Sequence, residues 1–406
     1  METKSLLLGV IICFLLISSC SADTWSKSFD TNNMSIYSLG VHDGKLYAGE
    51  GGTTDWSEGQ GHLYSFDGSN WSLAYRIIGG YFITSIAEYQ NQLYISEVNG
   101  YPYGGVELLN GSNWTIVYSQ ARLGVSETAL VASLAEYNGK MFAGKFTALD
   151  SFLDFPAIIV YNGTDWGDGI SATWKETYAK DGSVHAMKVF GGKLYAGISH
   201  KRPWADGYVD VISFNGSSWS ASHNGTAFVE SMEEYDGKLY VGTDEGILVY
   251  DGANWYNAYP SSHTVYALKS FGGKLYAGLE SGGIIAYNGV GWQASYNSDK
   301  SIYALESYDG RLYAGQATNT TLNDGGVLLL EGVYSTTTTT TTSSTTSTTS
   351  TTAPACVMSG NGLPCDAITL SEVVSAINEW AEGSMTLAQV IDLINSWADP
   401  SGHAPN

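Results

Sequence analysis

The phrase Gly-Lys-Leu-Tyr-Ala-Gly, in exact or near copies, recurs seven times along this chain, starting at Gly44, Asn91, Gly139, Gly192, Gly237, Gly273 and Gly310. Self-similarity at a period of a few tens of residues is the mark of stacked or radially repeated supersecondary units. Each repeat carries four strand signals. In the sixth, Val265 to Ser270 alternates as a first strand and Phe271-Gly272-Gly273 turns the chain. Lys274 to Gly278 forms a second strand, Gly283 to Tyr287 a third, and Trp292 to Tyr296, after the Asn288-Gly289 turn, a fourth. Period-two runs of aromatic and β-branched residues between Asn-Gly or Asp-Gly turns are strong hairpin signals. No helical spacing of apolar residues precedes the C-terminal segment. A linear β-solenoid would use shorter rungs, and a closed ring removes the exposed edges of an open array of small sheets. The expected fold is all-β, a seven-bladed β-propeller.

The fourth strands share a Trp followed four residues later by an aromatic. The pairs are Trp71 and Tyr75, Trp114 and Tyr118, Trp174 and Tyr178, Trp255 and Tyr259, and Trp292 and Tyr296; after Trp219 the partner is His223. The seventh repeat stops at Tyr334 with three strands, whereas Trp25 to Phe29 fits the missing fourth. Donation of that N-terminal strand would close the ring. The apolar strand, Gly turn and Trp of Val249 to Trp255 resemble kelch-type propeller repeats, and the resemblance spans about Trp25 to Tyr334.

The organisation read from composition is a signal peptide over 1–22, the propeller over 23–334, a Ser/Thr-rich stalk over 335–355 and a helical module over 356–406. Lys4, the apolar run Leu6 to Ile17 and the small residues up to Ala22 form an export signal. Ile17-Ser18-Ser19-Cys20 also resembles a lipobox, and only lipidation of Cys20 would bring the membrane into contact. Ser335 to Thr352 is entirely Ser and Thr, a run that cannot bury a core and reads as a disordered linker or O-glycosylated stalk. Beyond it, Thr369 to Ala381 is repeated at Thr386 to Ala398. Both copies have apolar residues at helical spacing and an opening capping box, Thr369 with Glu372 and Thr386 with Gln389. The pair resembles a degenerate dockerin-type module. The calcium loops of that family lack their alternating Asp and Asn ligands here, so no metal and no cofactor are expected, and docking to a partner stands as one role beside plain stabilisation. An exported chain favours a disulfide between Cys356 and Cys365.

With 40 acidic against 18 basic residues, a net charge of -22 and only four Arg, the chain repels phosphate backbones, and nucleic acid is excluded as a partner. Sequons stand at Asn33, Asn70, Asn110, Asn113, Asn162, Asn215, Asn224 and Asn319. Five of them, Asn70, Asn110, Asn113, Asn162 and Asn215, fall in hairpins between third and fourth strands, on one face of a propeller. Asn-Gly-Ser and Asn-Gly-Thr are also simply good turns. The opposite face carries the loops that vary most, and in them stand Asp55, Trp56, Tyr101, Tyr103, Phe152, Asp154, Trp204 and Asp206. Aromatic rings beside carboxylates suit sugar recognition, and equally suit packing the loops down. For catalysis the candidates are His185 and Glu230, at equivalent places on first strands, as a base and its orienting partner or as satisfied channel-lining polar residues. A sialidase-like site is excluded: the Ser-x-Asp-x-Gly-x-Thr-Trp box is incomplete and four Arg cannot supply an arginine triad. The reading is a secreted or cell-surface binder of a surface glycan or surface protein; a glycan-processing hydrolase and a purely structural envelope component are the alternatives.

Overall fold

Asp43-Gly44, Asn138-Gly139, Asp236-Gly237 and Asp309-Gly310 all place both residues at positive φ, between 46° and 69°. That is the two-residue hairpin turn whose twist matches the flanking strands. Gln90-Asn91 adopts it too, at 51° and 60°, since Asn tolerates the left-handed region better than most residues. Each copy of the repeated phrase therefore starts inside a tight turn, which forces its second strand to run antiparallel to the first.

The computed structural model describes residues 23–31, 34–51, 61–77, 80–99, 105–110, 113–119, 129–147, 158–161, 166–168, 182–200, 209–317 and 325–331. After β1 (Thr24–Asp30) the strands come in fours, here called units 1 to 7. Unit 1 is β2 (Ser35–His42), β3 (Lys45–Gly51), β4 (His62–Phe66) and β5 (Trp71–Arg76). Unit 2 is β6 (Gly80–Tyr89), β7 (Gln92–Asn99), β8 (Gly105–Asn110) and β9 (Asn113–Ser119). Unit 3 is β10 (Ala129–Tyr137), β11 (Lys140–Thr147), β12 (Ile158–Tyr161) and β13 (Trp166–Asp168). Unit 4 is β14 (Gly182–Phe190), β15 (Lys193–His200), β16 (Val211–Phe214) and β17 (Trp219–His223). Unit 5 is β18 (Val229–Tyr235), β19 (Lys238–Thr243), β20 (Gly246–Tyr250) and β21 (Trp255–Pro260). Unit 6 is β22 (Val265–Phe271), β23 (Lys274–Leu279), β24 (Gly283–Tyr287) and β25 (Trp292–Tyr296). Unit 7 has β26 (Ile302–Tyr308), β27 (Arg311–Gln316) and β28 (Gly326–Glu331), and takes β1 as its fourth strand.

Every unit is an antiparallel meander. Units 1 and 2 are joined into one eight-stranded sheet by the single pair Gly51 and Phe82. In unit 7 the order is β1-β28-β27-β26, with Trp25 opposite Leu330 and Phe29 opposite Val327. Those are the places Trp292 and Tyr296 hold opposite Tyr287 and Ile284 in unit 6. Trp25 and Phe29 thus supply what the seventh repeat lacks. Unit 3 differs from the expectation. Its fourth strand is β13, with Trp166 opposite Tyr161, not the stretch Trp174 to Tyr178, which lies outside the described residues. The five-residue step from Tyr161 to Trp166 equals that from Phe66 to Trp71 and from Phe214 to Trp219, so turn length, rather than the distant aromatic, marks the strand.

The core lies between neighbouring sheets. The first strands touch in cyclic succession, β2 with β6, β10, β14, β18, β22, β26 and back to β2. The last glycine of the repeated phrase makes this approach possible. A Cβ on Gly197 would stand 2.1 Å from Val229 of the next unit, one on Gly278 2.7 Å from Ile302, and one on Gly315 2.7 Å from Ile36, where the cycle closes. Around that closure Ile36, Leu46, Ala48 and Phe66 of unit 1 pack on Ala304, Tyr313 and Val327 of unit 7. Hydroxyls stitch the same boundaries. Tyr89 donates to the Gly139 carbonyl at 2.8 Å, Tyr137 to Gly192 at 2.9 Å, Tyr235 to Gly273 at 2.8 Å and Tyr308 to Gly44 at 2.8 Å. The outer aromatics add stacked contacts, Phe29 on Trp71 at 5.0 Å and Tyr75 on Trp114 at 4.8 Å, each worth about 1 kcal/mol beyond burial.

Candidate functional site

Hairpin turns and the links between third and fourth strands leave one end of this assembly. At the other end second strands finish and first strands begin, as the pairing of Ser35 with Gly51 shows. Here the repeat stops repeating.

Each first strand slips register near its start, so that a residue stands out of the ladder: Tyr37, Thr84, Ala132, Glu230, Tyr266 and Tyr303, with Val184 and His185 together in unit 4. Such bulges re-aim a side chain out of its ladder. Their flanks are alike in every unit, a β-branched residue before and a small one after, as in Ile36-Tyr37-Ser38, Val229-Glu230-Ser231 and Ile302-Tyr303-Ala304. The flanking Ile36, Val229 and Ile302 are wholly buried, whereas Tyr37, Glu230 and Tyr303 are half-buried. The small residue, where it is Ser, ties the strands together: Ser38 Oγ donates to Ile83 O at 2.7 Å and Ser231 Oγ to Val265 O at 3.0 Å. A constant frame therefore presents one variable side chain per unit.

Those variable side chains meet their neighbours. Tyr37 and Tyr303 stack at 4.7 Å, Tyr266 meets Tyr303 at 4.9 Å, and Phe82 abuts Tyr37 edge-on at 5.0 Å. Burial, with the neighbouring Tyr303, pushes the Tyr37 phenol up to about 12. Burial likewise lifts Tyr266 to about 12, with the carboxylate of Glu280, then Tyr303 and Glu230, adding to the shift. These phenols stay neutral donors at any physiological pH. Across β14 and β18, His185 Nδ1 lies 2.8 Å from Glu230 Oε2. The two residues expected to meet do so, as one hydrogen-bonded arc of the same ring.

Acidic groups are sunk just behind the ring, in the residue next after the repeated phrase. Glu50 is 1% and Glu97 2% exposed, and burial raises both carboxyls to about 8, with Glu107 adding to the rise of Glu97. Glu107, itself buried, is raised by the same cause. Glu50 hydrogen-bonds His62 Nδ1, and burial holds His62 below its ordinary range, so both partners favour their neutral forms. Among the described residues no group of three or more His, Cys, Asp or Glu is arranged to hold a metal.

The other sequence expectations fall unevenly. Asn70, Asn110, Asn113 and Asn215 stand exposed at the turns between third and fourth strands, and Asn224 is exposed after β17. Asn33, Asn162 and Asn319 lie outside the described residues, as do Asp55, Trp56, Tyr101, Tyr103, Phe152, Asp154, Trp204, Asp206, Cys20, Cys356 and Cys365. The segments 52–60, 100–104, 148–157, 201–208 and 318–324 leave and rejoin the described chain at the end that carries the ring. Sequence reading missed the three ring tyrosines. The signal that finds them is the β-branched, variable, small frame, in which only the middle residue changes character.

No known family's sequence profile matches this chain, and no curated protein matches it. Solved structures do match, at the level of fold. The extracellular domain of the putative one-component system BT4673 from B. thetaiotaomicron aligns with a TM-score of 0.54 at 13% identity, covering 75% of this chain and 39% of that one. That of the putative hybrid two-component system BT3049 of the same organism aligns at 0.53 and 14%, covering 73% and 40%. This chain thus spans about two fifths of the length of those domains. YCF48 in its complex with a D1 peptide aligns at 0.50 and 13%, covering 75% and 96%. The fold is propeller-like.

Proposed function

We propose that this chain is an exported binding protein, a seven-bladed propeller sealed by β1, whose loop end takes a glycan of the cell surface. The observation that carries this reading is the ring itself. Seven repeats hold their buried frame constant and vary the one half-buried residue that faces its neighbours. A scaffold residue would vary least there, and a recognition residue most. Three contiguous tyrosines offer flat apolar faces for pyranose rings, with neutral hydroxyls as donors, while Glu230 and Glu280 supply acceptors for sugar hydroxyls. Location at the surface rests on the leader-like Met1 to Ala22, with the Ser/Thr run as stalk and the C-terminal helices as attachment or docking module. The kelch-like reading of the repeat rests on Val249 to Trp255 and adds nothing to the choice of ligand.

The test is a glycan array probed with the mature chain and with Tyr37→Ala/Tyr303→Ala. Loss of about tenfold or more in signal for the bound glycans is expected, the scale of two lost aromatic contacts. Equal binding by both proteins would remove the ring from recognition. The contact between His185 and Glu230 favours a second reading, hydrolysis of the bound glycan with an oriented imidazole as base. Turnover that vanishes in Glu230→Gln while array binding persists would establish it.

A further inference from the structure

The fourth strand of unit 4 departs from its counterparts at one residue. Opposite the first buried apolar side chain of the third strand stand Tyr75, Tyr118, Tyr259 and Tyr296 in units 1, 2, 5 and 6, but His223 in unit 4. His223 keeps the ring contact of the tyrosines, lying 5.1 Å from Trp255 of unit 5 as Tyr259 lies 5.5 Å from Trp292 of unit 6. It gives up the reach and volume of a phenol. Beside it is a cavity of about 150 Å³ between units 4 and 5, lined by Asp210, His223, Gly225, Thr226, Glu245 and Asn257 among others.

Asp210 makes this more than a packing gap. Its side chain is 2% exposed, one oxygen taking the His223 Nδ1 contact at 2.7 Å. The other, Oδ2, is buried without a hydrogen-bond partner among the described residues. An unmatched buried carboxylate oxygen costs free energy that natural cores rarely leave unanswered. Gly225 keeps that oxygen from being covered, since a Cβ there would stand 2.3 Å from Oδ2. The volume is that of roughly five waters, enough for one hydroxylated ring edge. The strand ends that build it belong to the loop end, where the first-strand ring also opens.

We infer that the cavity at Asp210 and His223 is a second, off-axis subsite that takes the hydroxyls of a single sugar unit. A hydroxyl donates to the Asp210 carboxylate while His223, held by the same carboxylate, presents its other ring nitrogen to the ligand. This inference deepens the glycan reading and rests on it for the class of ligand.

The test uses the mature chain labelled with ¹⁵N-tryptophan. D-Glucose, D-galactose, D-mannose, N-acetyl-D-glucosamine and methylammonium chloride are titrated separately while the Trp255 indole resonance is monitored. At least one sugar is expected to shift it saturably. Asp210→Asn should weaken that response about tenfold or more, as loss of a charge-assisted hydrogen bond does. His223→Tyr, which installs the residue of the other units and should fold unchanged, should abolish it. A Trp255 response to no sugar, one that survives both substitutions, or one to methylammonium alone overturns the subsite. Repeating the titration in Tyr37→Ala/Tyr303→Ala separates the two sites. A silent Trp255 beside an intact, tyrosine-dependent array signal removes only the subsite, whereas a saturable Trp255 beside an array signal indifferent to those tyrosines removes only the ring.

Discussion

The two ends of this molecule are built from the same repeat and obey different rules. At the turn end the units follow one local pattern: a positive-φ hairpin, in units 2, 3, 5 and 7 a tyrosine hydroxyl on the next unit's glycine carbonyl, and between several neighbouring first strands a basic residue set against an acidic one. Lys188 reaches Glu233 at 2.5 Å, Lys269 pairs with Glu306, and His42 Nδ1 lies 2.9 Å from Glu88. At the loop end the corresponding positions hold Tyr, Thr, Ala, His and Glu in turn, and carboxyls are buried behind them. Repetition at one end frees the other to vary, because a unit that is already registered by its turn and its glycine tolerates any side chain at its bulge.

The sharpest way to break this contrast is at the glycine that seats the next unit. Gly315→Ala places a Cβ within 3 Å of both Cγ2 and the carbonyl oxygen of Ile36, and should cost about 3 kcal/mol in urea denaturation. Gly44→Ala, at φ 67° with nothing near its Cβ, should cost only about 1 kcal/mol, for backbone conformation alone. If the two cost the same, close approach of the units is not what the phrase encodes.

The loop end should show itself through pH. Glu50 and Glu97, raised from 4.5 to about 8, keep their protons in the folded chain where the unfolded chain has lost them. Their contribution is whole below about 4.5 and is lost as pH rises through 8, because the folded state binds more protons over that window. Urea midpoints should fall between pH 5 and 8.5. In Glu97→Gln the fall should be shallower by ~2 kcal/mol, under half of what the full shift would give, because relaxation and water entry around the ionised carboxylate recover the rest. A slope unchanged by that substitution would clear the buried carboxyls of any cost. The smallest effect belongs to the turn end. Tyr308→Phe removes one hydroxyl bond to Gly44 and should cost about 0.5 kcal/mol, the low end for a neutral hydrogen bond, since Phe190 and Phe271 already fill that place in units 4 and 6.

Much of the turn end was legible in the sequence, because its rules are local. A two-residue turn announces itself as Asp-Gly or Asn-Gly, and the alternation beyond it fixes which face is buried. Closure by Trp25 to Phe29 was legible by subtraction, one strand missing at one terminus and one surplus at the other. Unit 3 was misread because Trp174 and Tyr178 imitate the aromatic spacing while Trp166 has the right turn length and Ile170 where the aromatic belongs. The ring of the loop end was only half legible. His185 and Glu230 drew notice as ionisable residues, whereas Tyr37, Tyr266 and Tyr303 looked like ordinary strand aromatics. What distinguishes them is a register slip, a property of backbone pairing that no single strand displays. The Asp210 cavity draws on separate segments, Asp210, His223 to Ala227, Thr243 to Leu248 and Asn257, and only the oddity of His223 hinted at it.

The donated strand has a consequence for how the protein comes into being. β1 is the first part of the folded body to be synthesised, yet its partner β28 lies some three hundred residues later. A growing chain therefore carries an unpaired strand until the last unit exists, and the pairing that joins them spans the longest loop the fold contains, the kind of contact that forms slowly. A product cut short anywhere before Glu331 would hold a free edge at both termini, open to pairing with other chains. The latch of the ring is thus also a checkpoint: only a chain that has been made through β28 can cover the edge of β1.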